Sequence, residues 1–273
     1  MSDSLEQAIN VTGVNALDGA GYRFSLVSLT SLFFIWGFIT ALNDILIPYL
    51  KAMFELNYTQ AMLIQFCFFG AYFIVSIPAG ALVSRIGYQR GIISGLMISS
   101  IGCFMFYPAA TEKIYALFLL ALFVLASGIT ILQVSANPFV SALGEPHTAS
   151  ARLTLTQAFN SLGTAIAPFF GAWLILSNVS EGAGVKIPYI LLASVLLIMA
   201  LIFSLIKLPK LGHANNSKAQ RVKGNALRHS QLSLGAIAIF VYVGAEVGIG
   251  SFLVSFITQQ SISNYNEARQ LNT

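Results

Sequence analysis

Asp44 is the only charged residue in the segment from Ser25 to Leu50, SLVSLTSLFFIWGFITALNDILIPYL. A charged side chain in hydrocarbon costs about 3 kcal/mol on insertion scales. It persists where a wet cavity reaches it or where it can take up a proton. No Lys or Arg lies in the interior of any apolar segment to neutralise it. Such a carboxyl can be neutral when enclosed and ionised when the site opens, which is the behaviour that proton-coupled movement of a solute requires. Asn43 beside it offers a donor and an acceptor, but successive helical residues point about 100° apart, so one of the two suffices to face a cavity. Glu246, in YVGAEVGIGS, is the second acid in an apolar segment. Gly244, Gly248 and Gly250 around it permit close helix approach or local unwinding.

Uncharged polar groups cluster at helical spacing. Gln133 and Asn137 lie i, i+4 apart and share a face. Gln157, Asn160, Ser161 and Thr164 follow at i, i+3, i+4 and i+7 and form a stripe. Amides and hydroxyls both donate and accept, which suits an uncharged polyhydroxylated ligand such as a sugar. Their other use is hydrogen bonding between helices, worth about 0.6 kcal/mol per contact. Ligand contact is the favoured reading for Gln133 and Asn137; for the Gln157 stripe the two uses weigh equally. Gly163, Ala167 and Gly171, spaced by four, read as a packing seam. Trp36, Phe33, Phe34, Phe38 and Tyr72 could stack on a sugar face, although aromatics in membrane helices more often pack. His147, His213 and His229 have no ligand-like spacing, so no metal site is expected.

These residues must be held by membrane helices. The 273-residue chain is 56% hydrophobic and 9% charged, against roughly 25% charged in soluble domains. Seven apolar segments reach the roughly 20 residues that span a bilayer, at 25–50, 59–84, 91–110, 115–143, 152–177, 187–207 and 232–258. Each must satisfy its own backbone hydrogen bonds, so each is expected to be a helix. With the N-terminus in the cytoplasm, ten of the 14 Lys and Arg residues fall inside: Arg23, Arg85, Arg90, Arg152, Lys207, Lys210, Lys218, Arg221, Lys223 and Arg228. Lys51, Lys113, Lys186 and Arg269 fall outside, so the net charge of +4 reads as a topology signal. Nucleic-acid binding is not expected, since no segment interleaves basic and aromatic residues. The first 24 residues carry Asp3, Glu6 and Asp18 against Arg23, unlike a cleavable signal peptide. Cys67 and Cys103 read as packing residues inside spans.

The expected organisation is therefore a cytoplasmic segment over 1–24, a six-helix bundle over 25–207, a basic cytoplasmic linker over 208–231, a seventh helix over 232–258 and a polar tail over 259–273. The first and fourth spans echo each other. Asn43-Asp44-Ile45-Leu46-Ile47-Pro48 and Gln133-Val134-Ser135-Ala136-Asn137-Pro138 both combine polar groups with a proline. Three spans apart, they correspond in a three-plus-three inverted repeat, and paired interrupted helices of this kind point to a transporter's binding site.

The loop GALVSRIGYQRG resembles the signature of the major facilitator superfamily through Gly80, Arg85, Gly87 and Arg90, with Ser84 at the position of the usual acid. Together with LNDILIPYLK, LQVSANPFVSALG, RLTLTQAFNSLG and YVGAEVGIGSFL, it makes residues 25–258 similar to the fucose–galactose–glucose–proton symporter family. The resemblance implies an all-α membrane fold of about seven helices: the N-terminal six-helix bundle plus the first helix of a second half, with five further spans absent from this sequence. It implies a proton-coupling role for Asp44 and a gating role for the Gly80–Arg90 loop. The glutamate of the fucose permeases stands as Gln133, which is similar to the glucose/galactose and N-acetylglucosamine branch, where sodium also occurs as the coupling ion.

The expectation is a cation-coupled, proton-driven hexose carrier in a bacterial inner membrane, monomeric and without a cofactor. Its sugar contacts would come from Asn43, Gln133, Asn137, Gln157, Asn160 and Glu246. A transport-inactive sensor or fragment on the same scaffold, or a fucose or N-acetylglucosamine permease, are the alternatives. An intramembrane enzyme lacks support: there is no second aspartate for an aspartyl protease, no His in any span and no H-E-x-x-H.

Overall fold

The computed structural model describes residues 19–174, 184–206 and 230–249. Six helices and one short 3-10 turn, Pro146–Thr148, precede residue 207: α1 (Gly19–Phe54), α2 (Tyr58–Ile86), α3 (Tyr88–Glu112), α4 (Tyr115–Ala142), α5 (Ala149–Leu174) and α6 (Lys186–Leu205). A seventh, α7 (Ser230–Ile249), lies in a separate unit of the chain and is described by itself. The segments expected at 1–24, 208–231 and 259–273 fall wholly or mostly outside the described residues.

Six of these seven helices are long and apolar enough to cross a membrane. The exception is α5. Its 26 residues would extend about 39 Å, long enough to cross, but Gln157, Asn160, Ser161 and Thr164 lower its hydropathy. The first and fourth spans were expected to be interrupted at their prolines. They are not: α1 runs unbroken through Pro48 and α4 through Pro138. Proline also sits inside α2, α3 and α5, as Pro78, Pro108 and Pro168. Each removes one backbone bond, and a membrane helix tolerates that when hydroxyls and neighbours satisfy the freed groups. Ser135 and Ser141, bracketing Pro138, return their hydroxyls to Ile131 O and Asn137 O. The polar side chains, not the prolines, therefore distinguish α1 and α4.

The packing is selective. α1 lies against α5, α2 against α4, and α3 between α4 and α6. Exchanging α1 with α4, α2 with α5 and α3 with α6 maps the first pair onto the second and α3–α6 onto itself. That is the pairing a three-plus-three repeat demands. The α3–α4 contact has no counterpart of similar extent, so the repeat is approximate.

Small residues set the closest approaches. In α3 a Cβ on Gly95 would stand 2.8 Å from Gly128 O and Leu132 N, and one on Gly102 would stand 2.5 Å from Leu125 N. Hydrocarbon solvates apolar side chains as well as a neighbouring helix does, so close backbone approach and hydrogen bonds carry membrane-helix association. Two buried serines add such bonds, Ser99 Oγ to Leu125 O and Ser100 Oγ to Ala193 O at 2.9 Å. The seam expected on α5 is present. Gly163 abuts the backbone of Phe34 and Phe38, Ala167 is fully buried, and Gly171 meets Leu42 and Ile45.

Arg152 holds the α4–α5 junction. Its buried guanidinium donates to Val140 O (3.2 Å), Ser141 O (2.9 Å), Glu145 O (3.0 Å) and the Thr148 hydroxyl. The carbonyls ending α4 have no helical partner of their own, and a planar fork with five donors can satisfy several at once.

Gly102→Ala is expected to destabilise the bundle by about 1–3 kcal/mol through overpacking, whereas Gly70→Ala, with open space around its Cβ, should leave thermal denaturation in detergent unchanged. Arg152→Lys should lower the same denaturation temperature almost as far as Arg152→Met, because one ammonium cannot bridge three carbonyls.

Candidate functional site

α1 and α2 run antiparallel, and two polar rungs join them. In the first rung, Gln65 Nε2 donates to Asp44 Oδ1 at 3.0 Å, and Asn43 Nδ2 donates to Gln65 Oε1 at 3.4 Å. In the second, Trp36 hydrogen-bonds the Tyr72 hydroxyl, which also accepts from Gln133 Nε2 of α4 at 3.4 Å. Trp36 and Asn43 are seven residues apart, as are Gln65 and Tyr72, so each pair lies on one helix face two turns apart. Antiparallel packing makes the rungs coincide: moving back seven residues on α1 moves forward seven on α2.

The sequence left Asn43 and Asp44 as alternatives for one cavity. The structure brings both onto Gln65. Asn43 is buried while Asp44 is exposed at its edge. Asn43 Oδ1 is buried without a hydrogen-bond partner, and so is Asn137 Oδ1 on α4. Buried acceptors normally find partners, so the two oxygens are unused capacity close to the acid and to Gln133. Pro48 has no N–H to give the Asp44 carbonyl four residues earlier, which leaves a backbone acceptor at the same level of α1. The carbonyl of Val134 stands likewise before Pro138.

Other candidates sit apart from this pair of rungs. Asn160 Nδ2 donates to Phe33 O at 3.0 Å, and Thr164 Oγ1 lies 3.4 Å from Gly37 O. These bonds tie α5 to the α1 backbone, the packing use of the stripe. Gln157 is half-buried one turn earlier. Of the aromatics, Phe33 is fully buried and lies 5.2 Å from the Trp36 ring, and Phe38 meets Phe170 edge-on at 5.4 Å. These contacts are packing. Glu246 is exposed on α7 and is not placed with the other residues. Cys67 and Cys103 carry free thiols, and among the described residues no His, Cys, Asp and Glu group could hold a metal.

The loop candidates surround a tight α2–α3 junction. Gly87 adopts φ +87°, where a side chain would be strained, and its N–H reaches Val83 O at 2.8 Å. Arg85 and Arg90 are exposed, and the Ser84 hydroxyl turns back to Ala81 O. The sequence reading missed two residues here and in the site. Gln89 Nε2 donates to Phe203 O at 2.8 Å and Ile206 O at 2.7 Å, closing the C-terminus of α6. Gln65 was missed although the signal was available: it is the lone amide deep in an apolar span, seven residues before Tyr72.

The helices thus form a bundle with polar α1 and α4, an approximate repeat of three helices and an acid bonded across two apolar helices. The chain belongs to the Major Facilitator Superfamily, whose sequence profile matches residues 25–270; membership in this carrier family displaces the intramembrane-enzyme alternative. It is 59% identical over 252 residues to a protein of Brucella abortus biovar 1 (strain 9-941) named glucose/galactose transporter, covering 90% of this chain and 61% of that protein. It is 36% identical over 282 residues to the L-fucose-proton symporter of Escherichia coli (strain K12), covering 93% and 64%. A solved structure of the E. coli fucose:proton symporter FucP matches with a TM-score of 0.64 and 36% identity, over 80% of this chain and 56% of that one. The chain thus spans about three-fifths of the length of these relatives.

With Trp173→Phe as background, Tyr72→Phe is expected to shift the emission of Trp36, the remaining indole, because its hydrogen-bond acceptor is lost. An unchanged spectrum would show that the second rung does not form.

Proposed function

We propose that this chain is the N-terminal part of a proton-coupled hexose carrier of the glucose/galactose type. The single observation that carries the reading is the bonded trio Asn43–Gln65–Asp44, an acid held by amides within a membrane helix pair. In this reading the protein exposes a site near the membrane midplane alternately to each side. Asp44 takes up and releases the proton, and Asn43, Gln133, Asn137 and Gln157 contact the sugar. Asn160 acts through α5 packing. The amides suit hydroxyls because they can donate to one and accept from another.

Two considerations favour glucose or galactose over fucose. The protein named glucose/galactose transporter is more similar than the fucose symporters, at 59% against 36% and 31% identity. Gln133 also replaces the second acid that the resemblance leads one to expect of fucose permeases. A proton is favoured over sodium on chemistry. Gln65 presents an N–H to Asp44, and a carboxyl that exchanges between accepting that N–H and donating its own O–H needs no ion besides the proton. Two of the relatives are named proton symporters.

The excess of basic residues in alternate loops supports a bacterial inner-membrane protein with its N-terminus and the 208–231 linker on the cytoplasmic side. Gly80, Arg85, Gly87 and Arg90 form a cytoplasmic hinge at the α2–α3 turn, and the protein works as a monomer.

Expressed from its complete coding sequence, the Asp44→Asn variant should lose uphill uptake of glucose or galactose, by at least about tenfold, and retain counterflow exchange in vesicles. Undiminished accumulation would refute the coupling role, and loss of both activities would assign Asp44 to sugar binding instead.

A further inference from the structure

We propose that Gln65 is a positioning residue that reports the protonation state of Asp44 to Asn43 by turning its carboxamide. The proposal rests on the carrier reading for its purpose, but its geometry is independent of the sugar.

An amide has one accepting end and one donating end. As placed, Gln65 gives its Nε2 to Asp44 Oδ1 and takes the Asn43 N–H on Oε1. That arrangement matches an ionised carboxylate, which only accepts. Once Asp44 carries a proton, its O–H needs an acceptor at the same place. A half-turn of the Gln65 carboxamide supplies Oε1 to Asp44 and moves Nε2 to face Asn43. Two N–H groups would then oppose each other unless Asn43 turns too. Its Oδ1 is buried without a partner and would become the acceptor for Gln65. The orphaned oxygen is thus explained as the contact made in the other protonation state. Both states keep the two bonds, and the turn exchanges the unpartnered Asn43 oxygen for the Asn43 N–H that Gln65 had accepted.

No competing charge lies alongside. The remaining charged residues of α1, α2, α4 and α5 are Arg23, Lys51, Arg85 and Arg152, all near helix ends. Of the titratable side chains, Tyr22 and Tyr49 lie on α1, Cys67 and Tyr72 on α2 and Tyr115 on α4, while the hydrogen bond to Asp44 comes from Gln65. Asn43 stands on the face directed into the bundle, so the turn carries a change at an exposed acid into buried structure.

Infrared difference spectra between acid and neutral pH, recorded on the full chain in lipid bilayers, test this directly. Asp44→Asn should remove one protonated-carboxyl C=O band and so identify it. Gln65→Leu should move that band to higher frequency, because the protonated acid loses its acceptor. With glutamine labelled by carbon-13 at its side-chain carbonyl, protonation should shift one amide band, and Gln65→Leu should abolish that shift. Asn43→Leu, which removes the second partner, should leave the carboxyl band present and reduce the amide shift. A carboxyl band at the same frequency in Gln65→Leu with native helical circular dichroism would overturn the relay, as would the absence of any Asp44-dependent band. Uphill uptake that survives Asp44→Asn while these bands behave as expected would sink the coupling role and leave the relay standing.

Discussion

Hydrocarbon supplies no hydrogen bonds, so every polar group inside the bundle depends on another polar group of the same chain. That constraint orders the molecule. Asp44 and Asn43 turn to Gln65, Gln133 turns to Tyr72, and Asn160 turns to the carbonyl of Phe33. Each bond joins two helices, and the Asn160 bond lies where Gly37 and Gly163 bring two backbones close. Interhelical bonds are individually modest, averaging about 0.6 kcal/mol. They fix which faces meet more than how strongly they hold.

The two uses of polarity divide by helix. On α5 and α3, amides and hydroxyls bond to neighbouring backbones and lock position. Asn160 and Thr164 lie beside the Gly37 and Gly163 crossing, and Ser99 and Ser100 lie beside the Gly95 and Gly102 seam. On α1, α2 and α4, side chains bond to side chains, and three buried oxygens, of Asn43, Tyr49 and Asn137, are left over. Side-chain pairs can exchange partners without disturbing a helix. Side-chain-to-backbone bonds at a tight crossing cannot. The side-chain pairs are therefore concentrated on the α1–α2–α4 side, and the bonds that lock helix crossings on α5, α3 and α6.

Helix ends receive separate treatment. Arg152 gathers the last carbonyls of α4, and Gln89 gathers those of α6. Gln89 borders the α2–α3 junction and Arg152 the α4–α5 junction. The last carbonyls of a helix have no partner within it, and a multidentate donor supplies one at both of these ends.

Composition and periodicity were enough to find the seven described helices, with limits within about six residues wherever both ends are described, because roughly 20 apolar residues in a bilayer have no other solution. The same reasoning located the lone acid, the polar faces of the first and fourth spans, the α5 seam and the echo between repeats. The sequence misled where proline was taken as a break. Pro48 and Pro138 sit in continuous helices, since the effect of a missing N–H depends on what else can bond the freed carbonyl. Gln65, Gln89 and Arg152 acquired their roles only through contacts between helices or across a turn, and the division of the α5 stripe into packing and exposed groups was equally undecided. A linear pattern fixes which residues share a face of one helix. The partner that face meets is set by how helices cross, and only the tertiary structure decides that.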